Sequence, residues 1–285
     1  MGDRPFEHWK DDLSQDTMLK RAAEKALQYV HSCQTKDGGY FFARIPPSSL
    51  RDSYFAVKTL RMLGQSPRRT ATLERFVWSF LQEFEGNSVH TYYYAFEIIK
   101  DLGEDLEPLR HKSEVIEASL TALDGVSDPS TLYIEVVSEL EQVYEAVSIL
   151  EHLDIPFDRT PVVRLISSLL NGDGGFGGLG DSSLPTTHYA VRTSDLLGYP
   201  LKQPKRTLLF LRIKEPEVYF LEDLYYLSSA CCLLGETLLE PERAVSFVLD
   251  CQRSGGGFAR ARLMGISTLE DTYYAISLFK MLGML

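Results

Sequence analysis

The chain has 285 residues, of which 44% are hydrophobic and 24% charged, the balance of an ordinary globular protein at a length one core can serve. Its formal net charge of −11, with no cluster of Lys or Arg, argues against nucleic acid and anionic membranes as partners, since both are bound through grouped cations. No stretch reaches the roughly 18 to 20 apolar residues of a membrane span, and the opening MGDRPFEHWKDDLSQD is too acidic for a signal peptide, so a cytoplasmic location is expected.

After an N-terminal extension over residues 1–15, residues 16–285 divide into six repeats of a helical pair. The amphipathic stretch MLKRAAEKALQYVHSC leads through a Gln34-x3-Gly38-Gly39-Tyr40 turn into SLRDSYFAVKTLRMLG (49–64). TATLERFVWSFLQEF then precedes SVHTYYYAFEIIKDLG (88–103), and the less regular LEPLRHKSEVIEASLTAL precedes ELEQVYEAVSILEHLD (139–154). RTPVVRLISSLL and a Gly174-Gly175-Phe176 turn lead to SLPTTHYAVRTSDLLG (183–198), and KRTLLFLRI leads to FLEDLYYLSSACCLLG (220–235). Finally PERAVSFVLDC and Gln252-x3-Gly256-Gly257-Phe258 lead to TLEDTYYAISLFKMLG (268–283). The second helices align without gaps. Asp52, Thr91, Thr186, Asp223 and Asp271 are expected to cap their N-termini, with Gln142 breaking the rule, and a terminal glycine, Asp154 in the third unit, closes each. Twelve helices result. The four cysteines, Cys33, Cys231, Cys232 and Cys251, have no paired spacing and are expected as free thiols in helices.

The Gln-x3-Gly-Gly-aromatic turns, the helix opening in Asp or Thr followed by paired aromatics, and the Leu-Gly ending together resemble the prenyltransferase and squalene-cyclase repeat over residues 17–285. The resemblance implies an all-α fold, an α/α toroid of six inner helices around a lumen with six outer helices surrounding them. It implies a prenyl or terpenoid small molecule as ligand, a helical partner subunit of the kind that protein prenyltransferase β subunits use, and either transferase or cyclase chemistry. The zinc ligands of the protein prenyltransferases, an Asp-x-Cys and a His, correspond to Asp223, Tyr225 and Asp271. Two of the three are replaced, so zinc and other cofactors are not expected. Tyr226 matches a diphosphate-contacting tyrosine of that pattern. The cyclase acid motif is approached by Thr268-Leu269-Glu270-Asp271-Thr272. This makes Glu270 and Asp271, with Asp223, the candidate catalytic acids, although acids at helix starts also serve as caps.

The register that carries the zinc-binding cysteine in that family reads Tyr54, Tyr93, Tyr144, His188, Tyr225 and Tyr273 here, and the resemblance implies that it faces the lumen as a substrate-binding ring. Tyrosines wedged between helices, with hydroxyls at a wet end, are the alternative. One turn on lie Lys58, Glu97, Ser148, Arg192, Ser229 and Ser277. Lys58 and Arg192 are candidates for contacting a polar ligand; Lys58 and Glu97 can instead pair with each other, whereas Arg192 has no acid in register and is the better candidate. Arg44, Arg51, Arg260 and Arg262 either form an anion-binding rim or pair with Asp52, Glu270 and Asp271. His31, His90 and His111 show no metal-ligand spacing. The residues thus admit an isoprenoid-handling enzyme or a non-catalytic toroid that binds a polar small molecule, a peptide or a partner.

Overall fold

The computed structural model of the chain describes residues 15–83, 88–121 and 136–285; residues 1–14 of the expected extension lie outside them. Inner helices α2 (Leu50–Met62), α4 (Val89–Leu102), α7 (Val136–His152), α9 (Leu184–Leu196), α11 (Leu221–Leu233) and α13 (Leu269–Met281) alternate with outer ones. The outer helices are α1 (Gln15–Ser32), α3 (Thr70–Glu83), the pair α5 (Glu107–Arg110) and α6 (Ser113–Thr121), α8 (Thr160–Ser168), α10 (Pro204–Lys214) and α12 (Pro241–Asp250). The twelve expected helices become thirteen among the described residues because the irregular third outer stretch breaks at His111–Lys112. Each inner helix packs on the next, and α13 returns to α2, so the ring closes.

The inner helices begin one turn earlier than their sequences suggest. Ser49, Ser88, Ser183 and Thr268 are the N-caps, and their hydroxyls accept from the backbone N–H of Asp52, Thr91, Thr186 and Asp271 at 3.2, 3.4, 3.2 and 2.9 Å. The expected caps Asp52, Thr91, Thr186 and Asp271 therefore occupy the third helical position. In α11 the cap position is Phe220, which makes no side-chain cap bond, and Asp223 lies in the first turn. A hydroxyl directly before the helix satisfies a free N–H with the least side-chain ordering, stabilising each end by about 1 kcal/mol. The correction brings the residues before each Asp or Thr onto the helix and so to the lumen's mouth.

At their far ends all six inner helices close alike: the amide two beyond the last helical turn reaches back to a carbonyl, as in Gln65 to Leu60 and Met284 to Phe279, both 2.8 Å. Asp154 fills the glycine position of the third unit at φ +51°.

The three Gly-Gly-aromatic turns lock inner to outer ring. Tyr40, Phe176 and Phe258 are almost fully buried, and their amides donate to Ser53, Thr187 and Thr272 hydroxyls on the following inner helix at 2.8, 3.0 and 3.1 Å. The first glycine has positive φ and abuts the next outer helix so closely that a Cβ on Gly256 would lie 2.4 Å from the Lys25 carbonyl oxygen of α1. That contact joins the last unit to the first. Ala56, Ala95, Ala146, Ala190, Leu227 and Ala275 are all fully buried where helices meet. Cys33, Cys231 and Cys251 are buried free thiols, while Cys232 is exposed.

Candidate functional site

Because the inner helices run parallel, equal registers meet around the lumen, and the aromatic register forms a circle that is closed through one residue of the next register, Tyr189. Ring centroids lie 5.7 Å apart for Tyr54–Tyr93, 6.0 Å for Tyr93–Tyr144 and 6.0 Å for Tyr144–Tyr189. His188 lies 5.0 Å from Tyr189 and 5.5 Å from Tyr225. Tyr225–Tyr273 at 5.7 Å and Tyr273–Tyr54 at 6.3 Å complete the circuit. These are edge and tilted contacts of the kind aromatic quadrupoles favour. The rings fill most of the lumen, leaving a cavity of about 100 Å³ that all six residues line.

The next residues along each helix, Phe55, Tyr94, Tyr189, Tyr226 and Tyr274, form a second aromatic layer around the same cavity, and in α7 that position is Glu145. Above this layer stand carboxylates. Tyr226 donates to Glu222 at 2.9 Å and Tyr274 to Glu270 at 3.0 Å, both to the acid one turn earlier, while Tyr189 donates across to Glu141 at 2.7 Å. Arg51 salt-bridges Glu270 at 2.5 Å. Burial raises the Glu270 carboxyl to about 6, opposed by Arg51 and the Tyr274 hydroxyl. Burial likewise raises Glu145 to about 7.

Below the tyrosines, Lys58 pairs with Glu97 and, at 2.8 Å, with Asp101, and Lys100 also reaches Glu97 at 2.5 Å. Although burial alone would raise Glu97, the Lys58 and Lys100 ammonium groups hold it below its ordinary value. This network leaves Lys58 committed, and Lys58 does not line the cavity. Arg192 differs. It lines the cavity, donates to the Tyr144 hydroxyl and lies over the Tyr144 ring with its guanidinium carbon 4.2 Å from the centroid. Among the described residues no carboxylate pairs with it. His188, one turn before it, is 1% exposed, and neither ring nitrogen has a hydrogen-bond partner among the described residues. Burial first, and the Arg192 charge second, push it well below its ordinary value against the opposing effect of the Tyr226 backbone, so the imidazole is neutral.

The structure thus brings Tyr54, Tyr93, Tyr144, His188, Arg192, Tyr225, Tyr226, Glu270 and Tyr273 to one cavity. Asp223 and Asp271 stay outside its lining, Asp271 being held by the Thr268 hydroxyl at 2.7 Å. Of the residues matching the family's zinc set, Tyr225 lines the cavity with its hydroxyl 3.1 Å from that of Tyr273, whereas Asp223 and Asp271 lie outside the lining and Asp271 accepts from the Thr268 hydroxyl. Of the four arginines weighed as an anion rim, only Arg51 lines the cavity; Arg262 pairs with Asp250 at 3.2 Å, and Arg44 and Arg260 lie over Tyr29 and Phe220. Sequence reasoning missed Phe55, Tyr94, Glu141, Glu145, Tyr189, Glu222 and Tyr274 as lumen residues. The repeated second aromatic, with a glutamate four residues before it in the fifth and sixth units, is the signal that could have found five of them.

No helix among the described residues is long and apolar enough to cross a membrane. No curated protein matches the chain. Its fold is that of Candida albicans protein geranylgeranyltransferase-I complexed with GGPP, a structure 13% identical that superposes with a TM-score of 0.67 over 91% of this chain and 90% of that one. The family model of the prenyltransferase alpha-alpha toroid domain matches residues 216–284, and that of the ribophorin II N-terminal domain matches residues 39–182. The second of these matches spans half of the chain, which therefore belongs to the ribophorin II N-terminal domain family and is built as a prenyltransferase-like α/α toroid.

Proposed function

We propose that the toroid is a ligand-binding protein whose lumen takes a small organic carboxylate, with Arg192 holding the anionic group and neutral His188 donating one further hydrogen bond. The observation that carries this reading is the lone charge of Arg192: a guanidinium deep in a ring, facing a cavity, with no acid partner among the described residues. A buried cation left uncompensated costs several kcal/mol, and a ligand anion removes that cost. The planar guanidinium fork suits a carboxylate, and the unpartnered nitrogens of His188 match the same group. The surrounding tyrosine faces suit a small aromatic or branched body.

An isoprenoid ligand is the second reading, favoured by the neighbour's complex with GGPP and by the aromatic walls. It requires the tyrosines to part, because about 100 Å³ is below the roughly 300 Å³ at which pockets begin to enclose drug-sized ligands. Catalysis would then rest on Glu270, whose carboxyl is raised towards the range of a general acid. Calorimetric titration with benzoate, inorganic pyrophosphate and geranylgeranyl diphosphate separates the readings. Benzoate bound by the wild type and at least about tenfold more weakly by Arg192→Met supports the carboxylate site. Geranylgeranyl diphosphate bound without benzoate replaces it by the isoprenoid reading. Binding of none of the three overturns both.

A further inference from the structure

We infer that His90, Glu141 and Glu145 form a binding site for a first-row divalent metal ion at the mouth of the lumen, on helices other than those that carry the zinc-set positions. Glu141 and Glu145 stand one turn apart on the same face of α7, and His90 lies in the first turn of the adjacent α4. One donor atom from each lies within 4.8 Å of the other two. Donors bound to such an ion at about 2.0–2.2 Å sit at most roughly 4.4 Å apart, so the three can close on it with shifts of a few tenths of an ångström. One imidazole nitrogen and two carboxylate oxygens suit zinc, manganese or ferrous iron, with remaining positions left for water or ligand.

The repeat gives a second, independent reason. In the five other units the position after the first lumen aromatic is Phe55, Tyr94, Tyr189, Tyr226 or Tyr274, and only the third unit places a carboxylate, Glu145, in that layer. Glu145 is 2% exposed. Its Oε2 has His90 Nδ1, 2.6 Å away, as its ion-pair partner and no hydrogen-bond partner among the described residues. A buried carboxylate with an unsatisfied oxygen is costly without a cation. The Tyr189 hydroxyl, donating to Glu141 at 2.7 Å, orients that ligand as outer-shell partners do. Arg51, whose charge acts on His90, is itself engaged by Glu270. A metal ion competes with protons for the imidazole and the carboxylates, so affinity rises with pH.

The test is titration of chelator-treated full-length protein with Co²⁺, read by its visible absorption, and then with Zn²⁺ in competition. One ion per chain is expected, weakened at least 100-fold by Glu145→Gln and by His90→Ala, and about tenfold by Tyr189→Phe. Arg192→Met leaves metal affinity unchanged, which separates this site from the carboxylate site. His90 is partly exposed, so its variant tests the site even where Glu145→Gln fails to fold, with helical circular dichroism as the check. A wild type that takes up no stoichiometric ion, or folded variants that bind it as well as the wild type, overturns the inference.

Discussion

Arg192 poses the sharpest question of free energy in the molecule. Its contact with the face of Tyr144 supplies about 2 kcal/mol when desolvated, less than the several kcal/mol of placing a charge in the ring without an acid. Arg192→Met is therefore expected to raise the stability of the ligand-free protein by about 1–2 kcal/mol, read as a higher melting temperature or denaturant midpoint. A loss of stability would mean that the arginine is there for packing.

Glu145 offers a comparable test through pH. Its carboxyl is raised to about 7 by burial, and His90 is raised by the carboxylate beside it. Both groups bind protons more tightly in the folded than in the unfolded chain. Their contribution is thus fully present below the unfolded carboxyl value of about 4.5 and is lost as pH rises towards and beyond 7. Glu141 and Arg51 face the same pair and remain in the variant. The melting temperature of the metal-free wild type, relative to Glu145→Gln, should fall between pH 4.5 and 8. A flat or rising difference contradicts the burial assigned to Glu145.

At the scale of elements, much was legible in the sequence and the errors have physical causes. The five Leu-Gly endings marked helix C-termini because left-handed backbone is open to glycine, and even Asp154, in the third unit, takes that conformation. The N-termini were misjudged by one turn. Asp and Thr are good caps, but in Ser49-x-x-Asp52 and Thr268-x-x-Asp271 the upstream hydroxyl is the cap, while the Asp52 carboxylate accepts from the Phe42 amide and that of Asp271 from the Thr268 hydroxyl. Reading the acid as the cap hid the first helical turn, and with it Glu141, Glu222 and the place of Arg51. The Gly-Gly-aromatic turns were recognised as structural, and their geometry explains why two glycines are needed. Gly256→Ala should destabilise the protein by about 2–4 kcal/mol, since it combines a φ of +93° with a Cβ placed 2.4 Å from the Lys25 carbonyl oxygen. Gly255→Ala, which meets nothing within 4 Å, should leave the melting temperature within about a degree. Equal effects at the two positions would show that the turn does not seat against α1.

At the scale of the whole molecule, ring closure gives the lumen its character, and closure is what a single sequence conveys least. The register Tyr54, Tyr93, Tyr144, His188, Tyr225, Tyr273 was readable from the repeat and its family resemblance. That these rings touch one another and leave about 100 Å³ depends on how near the inner helices approach, a distance set by the small residues between them. The pairing of Lys58 with Glu97 was visible because both lie in neighbouring units at one register. The His90, Glu141 and Glu145 grouping was not, because its members come from two helices and share no motif spacing. The lumen that results has carboxylates at its mouth, two aromatic layers beneath them and a lone guanidinium below. A prenyltransferase-like toroid thus encloses a cavity of about 100 Å³.

The most direct test of that account is a crystal structure of the protein grown with 4-bromobenzoate, in which the bromine is located by its anomalous signal. A single strong peak is expected inside the tyrosine ring, with the carboxylate on the Arg192 guanidinium and within hydrogen-bond distance of His188. Bromine found only on the outer surface, with the lumen holding its own side chains and water, would contradict it.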